Sequence, residues 1–332
     1  MPPRTPCLLV LLCSLWACTP SSKTEPGAEV SIPTDDTAAP GSTDEGGADS
    51  AAPEDSGLPE HFDTAEPSPP TKSPKRGLAY DLLDEGDLGA ISSEVSWWYN
   101  WYFQSNVAEG FEARHQMQFI PMLWGYNAES DYVALESWLL EHSDVNDILV
   151  MNEPNLVDQA NMTPEMAVDY WLRAEQFQAE MFTTHGRTIR LVGPAMTWGT
   201  MVGYADPVVW LDAFYAAFNA AHGRDPIIDA LAFHWYDYGL DDQLSRLESF
   251  AKPFWVTEMA NWHTEEGWTI DTPEKQIETM ADMVGICESR ADVERYAWFI
   301  GRWAPDPHHT SIFSEGPGEL TALGTAYLAQ PW

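Results

Sequence analysis

The stretch Asp147-Ile148-Leu149-Val150-Met151-Asn152-Glu153-Pro154 decides the fold: a short, unbroken apolar run that stops on an amide and a carboxylate. Continuous rather than alternating apolar residues mark a strand covered on both faces, as in a parallel sheet flanked by helices. The same design recurs at Phe254-Trp255-Val256-Thr257-Glu258. Working outward, eight such runs can be counted, at 76–80, 95–101, 118–124, 147–152, 189–194, 228–235, 253–258 and 295–300. Helical spacing fills the gaps, most clearly at 131–142, 164–184, 207–222, 241–250 and 273–289, with a weaker segment near 108–117. Thr163-Pro164-Glu165 and Thr272-Pro273-Glu274 read as helix starts, a capping threonine followed by proline at the first helical position. Strand and helix alternating eight times predict one (β/α)8 barrel of the α/β class over 76–332, a usual length for that fold.

The 332 residues carry 52 acidic against 16 basic side chains, a net charge of −36. Such a chain repels phosphate backbones and anionic headgroups, which argues against nucleic acid as a partner and for a neutral ligand. The chain is also rich in tryptophan, the side chain that joins a flat apolar face to one polar handle. Cys287 is the one cysteine after Cys18, so a disulfide framework is excluded. Its helical spacing with Met280, Met283 and Val284 predicts a buried thiol.

The first 75 residues differ in character. Arg4 precedes an apolar run from Cys7 to Ala17, too short to span a bilayer and laid out like a signal peptide. It ends in Leu15-Trp16-Ala17-Cys18, which resembles a bacterial lipobox with an unusual tryptophan. The resemblance implies a signal peptide over 1–18, lipidation of Cys18 and a place on the bacterial cell envelope, with the membrane reached through the lipid anchor only. Ordinary cleavage near Ala17, or no anchoring at all, is the alternative. Residues 19–75 hold 12 acidic residues against three lysines and almost no large apolar side chain. They are expected to form a disordered, self-repelling spacer, because they cannot bury enough surface to offset the entropy of ordering.

In a (β/α)8 barrel the working residues stand at the C-terminal ends of the strands. Those ends carry Tyr80, Asn100 and Trp101, Trp124, Asn152 and Glu153, Trp198, His234 and Tyr236, Glu258, and Trp298. A single glutamate there is usually a cap or an ion-pair partner. Two of them, each closing a buried strand, fit the needs of glycoside hydrolysis: a proton donor for the leaving oxygen and a carboxylate nucleophile.

Asn152-Glu153-Pro154 at strand four and Glu258 at strand seven resemble the retaining clan-A glycosidases. The full set narrows this further. Arg76-Gly77-Leu78-Ala79-Tyr80, Ser96 to Trp101, Phe119 to Gly125, Asn152-Glu153-Pro154, Gly193-Pro194-Ala195, Phe233-His234-Trp235-Tyr236 and Trp255-Val256-Thr257-Glu258 together resemble glycoside hydrolase family 128, over the whole of 76–332. The resemblance implies a cofactor-free endo-β-1,3-glucanase with Glu153 as acid/base and Glu258 as nucleophile, and with Asn152 on the 2-hydroxyl of the sugar under attack. Members commonly carry Asp where this chain has Asn155, and many have Phe in place of Met259.

Supporting roles stay open. His234 and Tyr236 lie two apart on one strand and face the same way; they could hold Glu258, or His234 could be an ordinary core histidine. No third ligand in register suggests a metal. Trp98, Trp101, Trp124, Trp198, Trp235, Trp262, Trp298 and Trp303 divide between sugar platform and core, with Trp124 and Trp298 preferred as platforms and Tyr80 and Asn100 as hydroxyl contacts. The expected partner is a β-glucan bound by a monomer. The alternatives are a non-catalytic β-glucan-binding surface lipoprotein, or a clan-A enzyme of another specificity such as a mannanase or xylanase.

Overall fold

The computed structural model describes residues 71–107 and 110–332. The expected signal peptide, Cys18 and nearly all of the expected spacer lie outside these residues. Among the described residues there are nine parallel strand segments: β1 (Arg76–Ala79), β2 (Trp97–Tyr99), β3 (Gln118–Phe119), β4 (Met122–Leu123), β5 (Asp147–Val150), β6 (Arg190–Met196), β7 (Ala230–Trp235), β8 (Phe254–Met259) and β9 (Val293–Trp298). They pair in the order β3-β2-β1-β9-β8-β7-β6-β5-β4. The two outermost, β3 and β4, are successive halves of the third expected strand, parted at Ile120-Pro121, where proline has no N–H to give to a ladder. Backbone bonds continue through the break: Ile120 N donates to Trp98 O and Leu149 N to Pro121 O, both at 2.9 Å. The sheet therefore closes on itself as an eight-stranded (β/α)8 barrel, the architecture that the alternation of runs predicts.

The outer layer holds helices Glu129–Glu141, Pro164–His185, Pro207–His222, Leu240–Leu247 and Pro273–Ser289 at the expected places, and Phe111–His115 where the pattern is weak. Thr163 and Thr272 cap their helices as read, each accepting from a backbone N–H three residues on, a contact worth about 1 kcal/mol. The fourth of these helices is shorter than expected and finishes in a 3-10 turn, Glu248–Phe250. Glu85–Ile91 and Ala322–Leu328 give too few residues, with glycines among them, to show a period in the sequence. Trp97, Trp171, Trp210, Trp255 and Trp298 are fully buried, and side chains of this size each remove roughly 150–250 Å² from water. At the far end of the barrel from the strand ends, Lys75 Nζ donates to Cys287 O, Glu288 O and Arg290 O at 2.9–3.2 Å. It thereby closes the C-terminus of helix Pro273–Ser289, so the packed structure reaches back beyond residue 76. Cys287 is a buried free thiol, as its spacing suggests.

Candidate active site

Glu153 follows β5 and Glu258 lies within β8, with β6 and β7 between them in the ring. Both carboxyls are buried. Backbone bonds fix the first: Glu153 N donates to Ala195 O at 2.9 Å and Asn152 N to Trp124 O at 2.8 Å. Glu153 sits at φ 45°, Met151 at 68° and Trp101 at 61°. Left-handed backbone at non-glycine residues costs on the order of 1–3 kcal/mol each and persists where the surroundings over-determine it; here it aims side chains into the mouth.

Each glutamate has its own set of partners. Glu258 Oε1 accepts from Tyr99 OH at 2.9 Å and from Trp101 Nε1 at 2.7 Å, and its Oε2 accepts from Tyr236 OH. Hydrogen bonds to a charged group contribute roughly 1.5–3 kcal/mol each, so three donors fix the Glu258 carboxyl in rotation. Burial first, then the Glu258 charge, pushes both the Tyr99 and Tyr236 hydroxyls well above the usual phenol range, so both remain donors. Tyr236 is itself clamped by Trp262, stacked at 4.1 Å between ring centroids, and by the edge of Phe299 at 5.7 Å.

Glu153 Oε1 lies 2.7 Å from His234 Nδ1, whose other nitrogen stands 2.9 Å from Thr257 Oγ1. His234 is thus bonded to Glu153 and not to Glu258, from which Nδ1 is 3.6 Å away. Burial would lower the pKa of His234, but the charges of Glu258 and Glu153 outweigh it and hold the imidazole above its ordinary value. Burial raises Glu153; the His234 hydrogen bond opposes that rise and the nearby Glu258 charge adds to it.

One atom each from Glu153, His234 and Glu258 lie within 4.8 Å of one another. Three such groups could in principle hold a cation. Here the direct 2.7 Å contact of His234 with Glu153 leaves no room between them, and the Glu258 oxygens are taken by three N–H and O–H donors. The arrangement sets one carboxyl against an imidazole and the other against three donors.

Asn152 is buried, its Nδ2 donates to Gln159 Oε1 at 3.3 Å, and its Oδ1 has no protein partner. Its Oδ1 is thus a buried acceptor that the protein leaves open. Trp101 and Trp124 are half-buried at the mouth. Asn155 is fully buried and donates through Nδ2 to Thr197 O at 2.6 Å and Ala205 O at 3.3 Å. An aspartate there would set a carboxylate against two carbonyls, so the amide suits this loop. Gly199 packs on the Asn155 carbonyl so closely that any Cβ would overlap it. Met259 faces the helix layer, 4.0 Å from the sulfur of Cys287.

Three expected ligand contacts sit elsewhere. Trp298 is fully buried, gives its indole N–H to Thr310 O at 2.8 Å, and packs on Tyr327 beneath the last helix, so it offers no platform. Asn100 donates to Asp81 Oδ1 at 3.0 Å and Gln104 O at 3.1 Å and accepts from Tyr102 N, which commits its amide to shaping the loop after β2. His234 is entirely enclosed and reaches a substrate only through Glu153. Tyr80 is half-buried at the rim, with its ring over Gly301 and beside Phe313. The sequence reading passed over Tyr99 and Thr257. The alternation Trp97, Tyr99, Trp101 along β2 is the signal that could have found Tyr99, since it shares a face with Trp101.

The family model of the glycosyl hydrolase catalytic core matches residues 77–327. Among solved structures, the chain is similar to an endo-β-1,3-glucanase of glycoside hydrolase family 128, subgroup II, from Pseudomonas viridiflava, with 53% identity, a TM-score of 0.75, and coverage of 79% of this chain and 100% of that one. A second subgroup II endo-β-1,3-glucanase, from Sorangium cellulosum, is 28% identical, with a TM-score of 0.64 and coverage of 77% and 98%. A subgroup III curdlan-specific exo-β-1,3-glucanase from Blastomyces gilchristii, solved with glucose, is 26% identical, with a TM-score of 0.54 and coverage of 77% and 97%. No curated protein matches the chain.

Proposed function

The chain belongs to the glycosyl hydrolase catalytic core family and to glycoside hydrolase family 128, and from that membership we propose that it is a retaining endo-β-1,3-glucanase. The observation that carries the mechanism is the meeting of Glu153 and Glu258 beside His234, with one carboxyl oxygen of each within 4.8 Å of the other. Retaining enzymes hold their carboxyl groups about 5–5.5 Å apart, while inverting ones need roughly 6.5–9.5 Å to admit water.

Glu258 attacks the anomeric carbon, and the bond to the leaving oxygen breaks as Glu153 gives that oxygen its proton. The product is a glycosyl ester on Glu258 and a free chain end. Water then loses a proton to Glu153 and attacks the same carbon, releasing Glu258 as carboxylate. The change of role follows from electrostatics: the Glu258 charge helps hold Glu153 up, and that charge vanishes on esterification, so Glu153 becomes more acidic when it must serve as base. Asn152 Oδ1 accepts from the 2-hydroxyl, and Trp101 and Trp124 offer faces to the sugar rings.

The substrate assignment is tested on a panel. The purified protein is expected to release oligosaccharides of mixed length from laminarin and to leave xylan and mannan uncut. Cleavage of either of those with laminarin untouched would move the assignment to another β-glycanase.

We also propose that the enzyme works as a monomer on the cell envelope, tethered through a lipid on Cys18. The support is the run ending Leu15-Trp16-Ala17-Cys18 and the acidic spacer composition of 19–75. A Cys18→Ser variant is expected to leave the membrane fraction for the soluble one; unchanged partitioning would remove the anchor.

A further inference from the structure

The exposed aromatic side chains at the barrel mouth fall into two opposed groups. Tyr102 follows β2 and Tyr126 follows β4, and they are 49% and 60% exposed. Tyr238 follows β7 and Trp268 lies in the loop after β8, 39% and 65% exposed. In the closed order of the sheet, β7 stands across from β2, and β8 across from the β3–β4 strand.

The Tyr238–Trp268 pair is built rather than loose. Tyr238 OH donates to Trp268 O at 3.0 Å, and the two rings meet edge to face at 5.8 Å. Trp235 Nε1 donates to Tyr238 O at 3.0 Å, and His263, 2.7 Å from Asp237 Oδ1, sets its ring against Tyr238 at 5.3 Å. Backbone bonds from Trp268 N to Glu265 O at 3.0 Å and from Ile270 N to His263 O at 2.9 Å close the loop beneath the indole. These bonds fix the backbone of Trp268, and its indole, set edge to face on Tyr238, keeps most of its surface in water; the two rings together form an exposed aromatic patch, which marks a contact surface. Tyr238 is two residues past Tyr236, which bonds Glu258, so its backbone lies within about 7 Å of that of a residue touching the nucleophile. A flat, uncharged ring face suits the C–H face of a neutral sugar, and a chain with a net charge of −36 disfavours anionic partners.

We propose that Trp268, braced by Tyr238, is a distal subsite that holds a glucose unit of the same β-1,3-glucan chain, remote from the bond being cut, and so makes the enzyme prefer long chains. This rests on the β-1,3-glucanase reading above. The test compares wild type and Trp268→Ala on laminarin and on 4-nitrophenyl laminaribioside, which has only two sugar units to place beside the catalytic carboxyls. The expected result is a kcat/KM on laminarin lower by about tenfold, carried by KM, with the short substrate unaffected and Trp268→Phe restoring part of the loss. Equal losses on both substrates, or no loss on either, would overturn the subsite. Wild-type protein that leaves both substrates uncut overturns the glucanase reading itself, and the subsite with it.

Discussion

Glu258→Ala is expected to lose about 10⁵-fold or more of its turnover on laminarin, as removal of a covalent nucleophile does, while keeping its fold. The loss is large because the site is built around that carboxylate: Tyr99, Trp101 and Tyr236 spend their donors on its two oxygens, and no other carboxyl can take its place against the anomeric carbon. Alanine also opens space where the carboxylate stood. Azide entering it should restore part of the activity and yield an α-glycosyl azide, with configuration inverted relative to the substrate. The comparison is made by steady-state kinetics with and without azide, with NMR of the product. An alanine variant that still hydrolyses laminarin within tenfold of wild type would show that the nucleophile lies elsewhere.

Glu153→Ala should separate two kinds of substrate. On laminarin, where the leaving alcohol needs a proton, kcat/KM should fall by about 10²–10⁴-fold, the range of general acid catalysis. On an aryl β-glucoside with a nitrophenolate leaving group the first step should be nearly unaffected, with a burst of nitrophenol before slow release of the ester. The pH profile carries the same signature. The Glu153 pKa is raised, by burial first and by Glu258 next, so its proton persists to higher pH than on an ordinary glutamate. Wild-type activity should fall as pH rises through that raised value, and the alanine variant should lose this basic limb. Equal losses on both substrates, or an intact basic limb, would assign the proton to another group.

The barrel was legible because buried parallel strands leave a mark that needs no partner to be read: eight nearly continuous apolar runs, with Glu153 and Glu258 at the ends of two. The neighbours of those glutamates were harder to read, for physical reasons. Strand alternation puts His234 and Tyr236 on one face, but a register shift between Phe233 and His234 in the pairing of β7 with β8 sets how each meets the next strand, and His234 reaches Glu153 while Tyr236 takes Glu258. Trp298 and Trp101 both stand at strand ends; only the final helix, with Tyr327 packed on the Trp298 ring, decides that one is core and the other site. Tyr99 lay hidden within an aromatic run, Trp97 to Trp101, where core and site residues alternate. Asn155 reads as the loss of a charge and acts as a donor to two carbonyls, a role that depends on where the loop at 197–205 returns.

Proton NMR of laminarin digestion, recorded in the first minutes before mutarotation, bears most directly on the meeting of the two carboxyls. Direct attack by Glu258 followed by water on the opposite face requires the new reducing end to appear as the β-anomer, with the α-signal growing only later. An α-anomer present from the first spectrum would mean that water, not Glu258, attacks the sugar.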